Sequence, residues 1–458
     1  MDLHSTICAI STPYGTGGIS IIRISGSEAI EIADKIFRAT SGKKIASAPS
    51  HTIHHGHIVA SEGRILDEVL VSVMHSPRTY TGEDVCEINC HGGLVVTKLI
   101  LEETMKAGAK PAAPGEFTKR AFLNGKLDLS RAEAVIDIIN SKTSLEQEIS
   151  VNNLGGALSG KINSVRDRLI ALCANIQVLI DYPDEGLEDF TDEEFLEELK
   201  NLSSQIHNLV NSSRVGLMIR SGIPTAIVGK PNVGKSSLLN LLSGTDKAIV
   251  TDIEGTTRDA IEEYVNIGNI TLRLADTAGI RQTDDKVEAI GVKRSMDYIE
   301  SSDLIIFMAD AKSGLDMRDV EIINAIGSKK CIALINKCDA GSLIVKADLE
   351  KYFDTVIEFS VKEEKGVYEL EECIKTLFEM GDISADGSQI ITSARHRDAL
   401  LKAGNSIDSA IKTVESGIPP DTAFIDIEEA ISALGEITGL TVSEEIVDRI
   451  FHSFCIGK

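Results

Sequence analysis

Tryptophan is absent from this chain, and all aromatic residues together make up 4% of it. Broad aromatic stacking platforms, which hold single-stranded nucleic acid, are therefore not expected. Basic charge is also short: 46 Lys and Arg stand against 70 Asp and Glu, for a formal net charge of -24. Phosphate backbones are held by clustered cations, so the chain is not built as a general nucleic-acid binder. Cys-x-x-Cys pairs are missing too. The eight cysteines (Cys8, Cys86, Cys90, Cys173, Cys331, Cys338, Cys373 and Cys455) form no dense framework, which in a long chain points to a reducing compartment. The opening MDLHSTICAISTPYG lacks a leader's basic and apolar regions. No apolar run reaches the roughly 18 residues of a membrane span. Together these absences predict a soluble, cytoplasmic protein.

The 458 residues are enough for about three domains, each with its own core. Residues 1–120 read as α/β and are close to neutral, with 12 Lys and Arg against 13 Asp and Glu. Strands are expected at Gly18–Ile24, Ile65–Met74 and Val85–Cys90, and helices at Ser25–Phe37 and Leu94–Lys106. The four histidines of His51-Thr-Ile-His-His-Gly-His57 lie in a strand-like stretch without a carboxylate or cysteine partner, and are read as surface residues rather than as a metal site. From about residue 121 the pattern turns helical, with an apolar stripe from Ile149 to Leu179. Ten acidic residues between Asp181 and Glu198 read as a solvated helix face and loop. Helical spacing returns after residue 390. The expected architecture is multidomain: an α/β N-terminal domain (1–120), an α-helical central domain in two parts (121–217 and 381–458), and a P-loop α/β, Ras-like G domain (218–380) inserted between them.

The chemistry is concentrated in that insert. An apolar strand runs into Gly229-Lys-Pro-Asn-Val-Gly-Lys-Ser236, the G-x-x-x-x-G-K-S pattern, and a helix follows. Such glycines let backbone N–H groups turn inward around phosphates, and the helix N-terminus adds positive potential. The nucleotide-binding set here is Gly229, Asn232, Val233, Gly234, Lys235, Ser236 and Ser237. Lys235 is placed to reach the β- and γ-phosphates, and the Ser236 hydroxyl to bind Mg²⁺. Asp276, Thr277, Ala278 and Gly279 follow a second strand. Asp276 is suited to hold Mg²⁺ through water and Gly279 to sense the γ-phosphate. Asn336-Lys337-Cys338-Asp339 follows a third strand. The Asp339 carboxylate accepts a pair of donors that guanine has and adenine lacks, so GTP is expected over ATP. Ser360, Val361 and Lys362 end a fourth. Between the first two motifs lie Thr251, Asp252, Ile253, Glu254, Gly255, Thr256 and Thr257, read as a loop ordered by the γ-phosphate with Thr257 as second Mg²⁺ ligand. Each motif is short, but their order at successive strand ends is hard to explain otherwise. One departure matters: Ile280 follows Gly279, where Ras-like enzymes carry a water-orienting Gln.

Beyond these motifs, Gly15-Thr-Gly-Gly18 through Arg23, the stretch Pro114 to Leu129, and the ending Phe454-Cys455-Ile456-Gly457-Lys458 give the whole chain a resemblance to the MnmE (TrmE) tRNA-modification GTPases of the TrmE-Era-EngA-like superfamily. The resemblance implies an N-terminal domain that dimerises and binds 5-formyltetrahydrofolate. It implies an FAD-containing partner (GidA or MnmG) in a heterotetramer or larger, and installation of an aminomethyl or carboxymethylaminomethyl group on the wobble uridine of tRNA. It implies a potassium ion held by Asn232, Thr251, Ile253 and Thr256, and Glu288 as the residue that orients water in place of the missing Gln. By the same resemblance Arg23, Glu87, Lys126 and Lys458 contact folate, and Cys455 is the reactive thiol. Candidate catalytic residues are thus Glu288, Lys235 and Cys455. The alternative is a ribosome-assembly switch of the Era or Der type, which shares the nucleotide motifs but would carry a basic RNA-binding domain or a second G domain.

Overall fold

A computed structural model describes residues 5–181, 191–245, 263–274, 298–380 and 390–458. The chain divides into two compact units: Met1–Ile136 with Leu154–Asp167 and Ile431–Lys458, and Asp137–Asn153 with Arg168–Ala430.

The first unit is built on a seven-stranded sheet, ordered β3-β4-β5-β6-β2-β1-β7. Its strands are β1 (Ile7–Ile10), β2 (Ile19–Ser25), β3 (Phe37–Ala39), β4 (Thr52–Val59), β5 (Ile65–Met74), β6 (Val85–His91) and β7 (Lys110–Pro111). Neighbours run antiparallel except β1 and β7. Strict alternation decides which face is covered. Val69, Val71 and Val73 of β5 are buried, while Leu70 between them is exposed. The buried set joins Ile22, Ile24 and Ile88 beneath helices α1 (Ala29–Ile36) and α2 (Leu94–Lys106). Three of the four histidines, His54, His55 and His57, lie in β4, with His55 exposed and bonded to Glu68 across the pair at 2.8 Å. Among the described residues no group of His, Cys, Asp and Glu is arranged to hold a metal ion.

Helices α3 (Glu116–Leu123) and α4 (Leu129–Asn140) follow the sheet. The apolar stripe from Ile149 onward is two helices rather than one, α5 (Ser144–Leu154) and α6 (Ala157–Asp181). The break falls where Gly156 takes a φ of +94°, a conformation that ends a helix. The acidic run divides: its second half opens α7 (Asp192–Ser221), where Thr191 and Glu194 form a capping box and the acidic first turn suits the helix dipole. Residues 182–190 lie outside the described residues.

The second unit contains a six-stranded sheet, ordered β13-β12-β11-β8-β10-β9. It comprises β8 (Ile223–Val228), β9 (Glu263–Ile267), β10 (Ile270–Leu274), β11 (Leu304–Asp310), β12 (Cys331–Asn336) and β13 (Val356–Glu358). All pairs are parallel except β9 with β10. Both faces of a parallel sheet are covered, so its strands read as unbroken apolar runs. Accordingly Ile306, Met308 and Leu334 face one core and Ile305, Phe307 and Ala333 the other. The remaining helices among the described residues are α8 (Lys235–Thr245), α9 (Met317–Ile326), α10 (Lys346–Leu349), α11 (Val367–Leu377), α12 (Ala394–Glu415), α13 (Phe424–Thr438) and α14 (Glu444–His452). No helix among the described residues is long and apolar enough to cross a membrane.

The chain enters this sheet from α7 and leaves it through buried residues 390–392, which return along α7 toward α12. Ile391 N–H donates to Ser212 Oγ at 3.3 Å and Arg220 to Thr392 O at 3.4 Å. At Gly216 an added Cβ would sit 2.2 Å from Ile391 O. In a free helix Gly→Ala gains about 1 kcal/mol, but overpacking against an immobile carbonyl costs about 1–3 kcal/mol. The contact should win: Gly216→Ala is expected to lower the urea midpoint, and a raised midpoint would show that the returning segment does not press on α7.

Candidate functional site

Strand order in the second sheet reverses direction around β8, and ligands of such sheets bind beyond the strands' carboxyl ends at that point. The loop after β8 shows how the sequence closes it. Gly229, Asn232 and Gly234 have φ of +147°, +63° and +108°, values costly for most L-residues. A Cβ on Gly229 would lie 2.3 Å from Met308 O, and one on Gly234 2.3 Å from Asn336 Nδ2. Lys235 opens α8 and donates from Nζ to the carbonyls of Gly229 and Lys230, both at 2.7 Å. Burial pushes its pKa down to about 8.

The Asn-Lys-Cys-Asp motif is sewn to this loop. Asn336 is buried; its Nδ2 donates to Val233 O at 2.8 Å and its Oδ1 accepts from Val361 N–H at 3.3 Å. Lys337, at φ +66°, donates from Nζ to Asn232 O at 2.8 Å and to Asp310 Oδ2 at 2.6 Å. The Ser360 hydroxyl donates to Asp339 Oδ1 at 2.7 Å and accepts from Glu363 N–H at 3.2 Å. That bond, first among its causes, holds the Asp339 carboxyl below its ordinary range, so the exposed carboxylate is an acceptor at neutral pH. The structure therefore brings Asn232, Val233, Gly234, Lys235, Asn336, Lys337, Asp339, Ser360 and Val361 into one assembly. Lys362, at the same loop, is exposed and helps lower the Asp339 pKa through its charge, and Ser237 is exposed on α8. Thr251, Asp252, Ile253, Glu254, Gly255, Thr256, Thr257, Asp276, Thr277, Ala278, Gly279 and Glu288 lie outside the described residues. A brace that sequence reasoning passed over is also present: Lys230, an unspecified position of the motif, pairs with Asp319 at 2.6 Å.

The first unit gathers a second group. Arg23 and Glu87 face each other across β2 and β6, with Arg23 Nε donating to Glu87 Oε1 at 2.8 Å. The guanidinium lies 5.7 Å from the ring centres of both Tyr80 and Phe117, within cation–π range. Its other arm donates to Gly457 O at 3.2 Å. This brings the residues around Cys455 and Lys458 to the sheet. Lys458 has its pKa lowered by burial and then by the Arg23 charge; Cys455 is exposed. Lys126 instead donates to Pro77 O at 3.0 Å. Tyr80 and Ser11, the latter donating to Gly457 O at 3.0 Å, carry no motif and gave no signal.

The cradle fits a polyphosphate: a Cβ would fill it at Gly229 and Gly234, and among the described residues the hydrogen bonds of the desolvated Lys235 ammonium go to the carbonyls of Gly229 and Lys230. A polyphosphate would set an anion against this ammonium, raising its pKa and taking up a proton above neutrality. The affinity for guanosine diphosphate, measured without divalent cations, should fall about tenfold between pH 7 and pH 9 as Lys235 discharges. A flat profile would mean that Lys235 does not meet the phosphates.

The chain was compared with known proteins. The model of the MnmE helical domain matches residues 129–455, and that of the GTP-binding protein TrmE N-terminus matches residues 6–126. Curated relatives described as tRNA modification GTPase MnmE match over full length. That of Acetivibrio thermocellus is 50% identical, with 100% of both chains covered. Those of Thermoanaerobacter sp. and Clostridioides difficile are 47% and 46% identical, again with 100% of each chain covered.

Proposed function

The chain belongs to the tRNA modification GTPase MnmE family, and we propose that it is a potassium-stimulated GTP hydrolase whose cycle serves the modification of tRNA. The observation that carries the nucleotide reading is the seam between Asn336, Asp339 and Ser360 and the phosphate loop. It sets an ionised carboxylate at a fixed place relative to Lys235. Guanine has the N–H pair that such a carboxylate accepts, whereas adenine would leave it unmatched.

In this reading Gly229 and Asn232 to Ser237 cradle the phosphates, and Ser236, Thr257 and Asp276, the last through water, hold Mg²⁺. Asn232, Thr251, Ile253 and Thr256 hold the potassium ion. Bound cations supply the positive charge that an arginine finger gives other GTPases. Glu288 orients the water, whose oxygen bonds to the γ-phosphorus as the bond to the β–γ bridging oxygen breaks, leaving GDP and inorganic phosphate. The proposed division is the N-terminal domain 1–120, helical parts 121–217 and 381–458, and the inserted G domain 218–380.

The second group supports a folate site. Arg23 and Lys458 within this group, and Lys126 outside it, would supply cations for an acidic tail and Glu87 an acceptor for pterin N–H groups, with Cys455 as the thiol beside Lys458. A homodimer through the N-terminal domain, an FAD-containing partner and a cytoplasmic location complete the proposal. The one-carbon unit would become the methylene attached to the wobble uridine, and a separate amine, ammonia or an amino acid with a carboxymethyl group on nitrogen, would supply the remaining atoms of the aminomethyl or carboxymethylaminomethyl group. Because the chain carries a net charge of -24, much of the tRNA contact is assigned to the partner's surface.

Steady-state GTP hydrolysis in KCl and NaCl at matched ionic strength tests the cation. Rates at least several-fold higher in KCl are expected; equal rates would remove potassium from the mechanism. Asp339→Asn tests the base: it should weaken GTP binding and favour xanthosine triphosphate, and unaltered GTP affinity would take base recognition away from Asp339.

A further inference from the structure

The side chain of Lys230 takes no part in the ring of carbonyls around Lys235. It runs instead to the segment that follows β11. Its Nζ lies 2.6 Å from Asp319 Oδ2, 3.0 Å from Asp316 Oδ2 and 3.3 Å from Gly314 O. The Lys230 side chain is 11% exposed and that of Asp319 is 0% exposed, so water screens this pair little. The two carboxylates also build the start of α9. Asp316 Oδ1 accepts from the N–H groups of Arg318 and Asp319 at 2.9 and 3.3 Å, and Asp319 Oδ2 accepts from Asp316 N–H at 3.0 Å. A single buried oxygen, Asp319 Oδ2, therefore joins the helix cap to the phosphate loop. Asp319 Oδ1 is buried without a hydrogen-bond partner, so losing Lys230 would leave this carboxylate with one backbone donor and no countercharge. Such loss is expensive in a buried pair.

The tether acts on a loop with little freedom elsewhere. Gly229 is pressed against Met308 O, and Pro231 fixes the next φ. Between them, the Lys230 carbonyl accepts from Lys235. Lys230 is thus held at both ends, its carbonyl by Lys235 and its side chain by Asp316 and Asp319. The side-chain tie offsets one of two negative charges beside a loop proposed to receive a triphosphate.

We infer that Lys230 is a positioning residue: its ion pair with Asp316 and Asp319 pins the phosphate loop to the N-terminus of α9 and presets it for the nucleotide. The inference rests on reading this loop as the guanine-nucleotide site. Preset geometry slows release more than it alters chemistry, so the readout is the dissociation rate of a fluorescent GDP analogue from the full chain. Lys230→Ala should speed release about tenfold, the loss of one charged hydrogen-bond set. Lys230→Arg should come back to within about threefold of the parent, since a longer cation still reaches Asp319. Asp319→Asn should also speed release, and the double variant should release no faster than Lys230→Ala alone, because coupled partners are not additive. At saturating GTP, kcat should stay within about twofold while KM rises.

Unchanged release from a folded Lys230→Ala chain would overturn the inference, as would fully additive effects in the double variant. Additivity would make Lys230 a direct phosphate contact instead. If Lys230→Ala does not fold, Lys230→Arg and Asp316→Asn decide the matter: faster release from Asp316→Asn with normal release from Lys230→Arg supports the tether, and parental release from both overturns it. A parent chain that binds no GDP would overturn the nucleotide reading and the tether together.

Discussion

The phosphate-loop end of the second sheet hangs on one side-chain amide. Asn336 is the last residue of β12, and it is buried with both halves of its amide engaged. One half fixes the carbonyl of Val233 and the other the N–H of Val361. Three loops from three strands are thereby held at one spacing. A buried amide that lost either partner would cost about 1–3 kcal/mol. An Asp there would keep the acceptor half and lose the donor half. The contact also explains why Gly234 must lack a Cβ, since the Asn336 amide occupies that space. Lys337 repeats the stitch one residue on, from a left-handed backbone, to the carbonyl of Asn232.

Charge at this end is arranged with the same economy. In a chain of net charge -24, three lysines stand at the phosphate loop, and they are treated differently. Lys337 is paired with Asp310 and Lys230 with Asp316 and Asp319. Among the described residues Lys235 has only carbonyls as its hydrogen-bond partners, and its pKa is lowered by burial. Carbonyl dipoles stabilise an ammonium less than carboxylates do. Of the three, Lys235 therefore has the most to gain from an arriving polyphosphate, and the other two hold the frame that presents it.

The parts of the fold that follow periodicity were legible in the residues. β5 and α2 begin and end where patterning puts them, at Ile65–Met74 and Leu94–Lys106. The strand ends that carry Gly229, Asn336 and Ser360 were marked by apolar runs followed by motif residues. Features that depend on contact rather than period were not legible. The apolar stripe after Ile149 runs on in phase through Gly156, and only its positive φ separates α5 from α6. β1 and β7 are four and two residues long, too short to show alternation, and exist because β2 and the neighbouring edge offer partners. Lys230 looked like filler between a Gly and a Pro because its partners lie more than eighty residues on.

The second group was legible only through family resemblance, and the structure gives it a physical cause. Residues far apart in the chain converge because two glycines allow it. Gly115, at φ +67°, brings its N–H to Cys455 O at 3.3 Å where a Cβ would strike Phe451 O at 2.4 Å. Gly457, at φ +95°, passes so near Ile10 that a Cβ would lie 2.3 Å from its carbonyl. With both positions open, the Gly457 carbonyl can accept from Ser11 and Arg23 together. Arg23 then carries two loads: it neutralises Glu87 and it ties down the segment bearing Cys455 and Lys458. Two cations, Arg23 and Lys458, stand near the Glu87 carboxylate. An anion arriving there would compete for Arg23 with the Gly457 carbonyl, and so would bear directly on how Cys455 is presented. The side chain that would meet such a ligand also helps to hold the segment that bears the thiol.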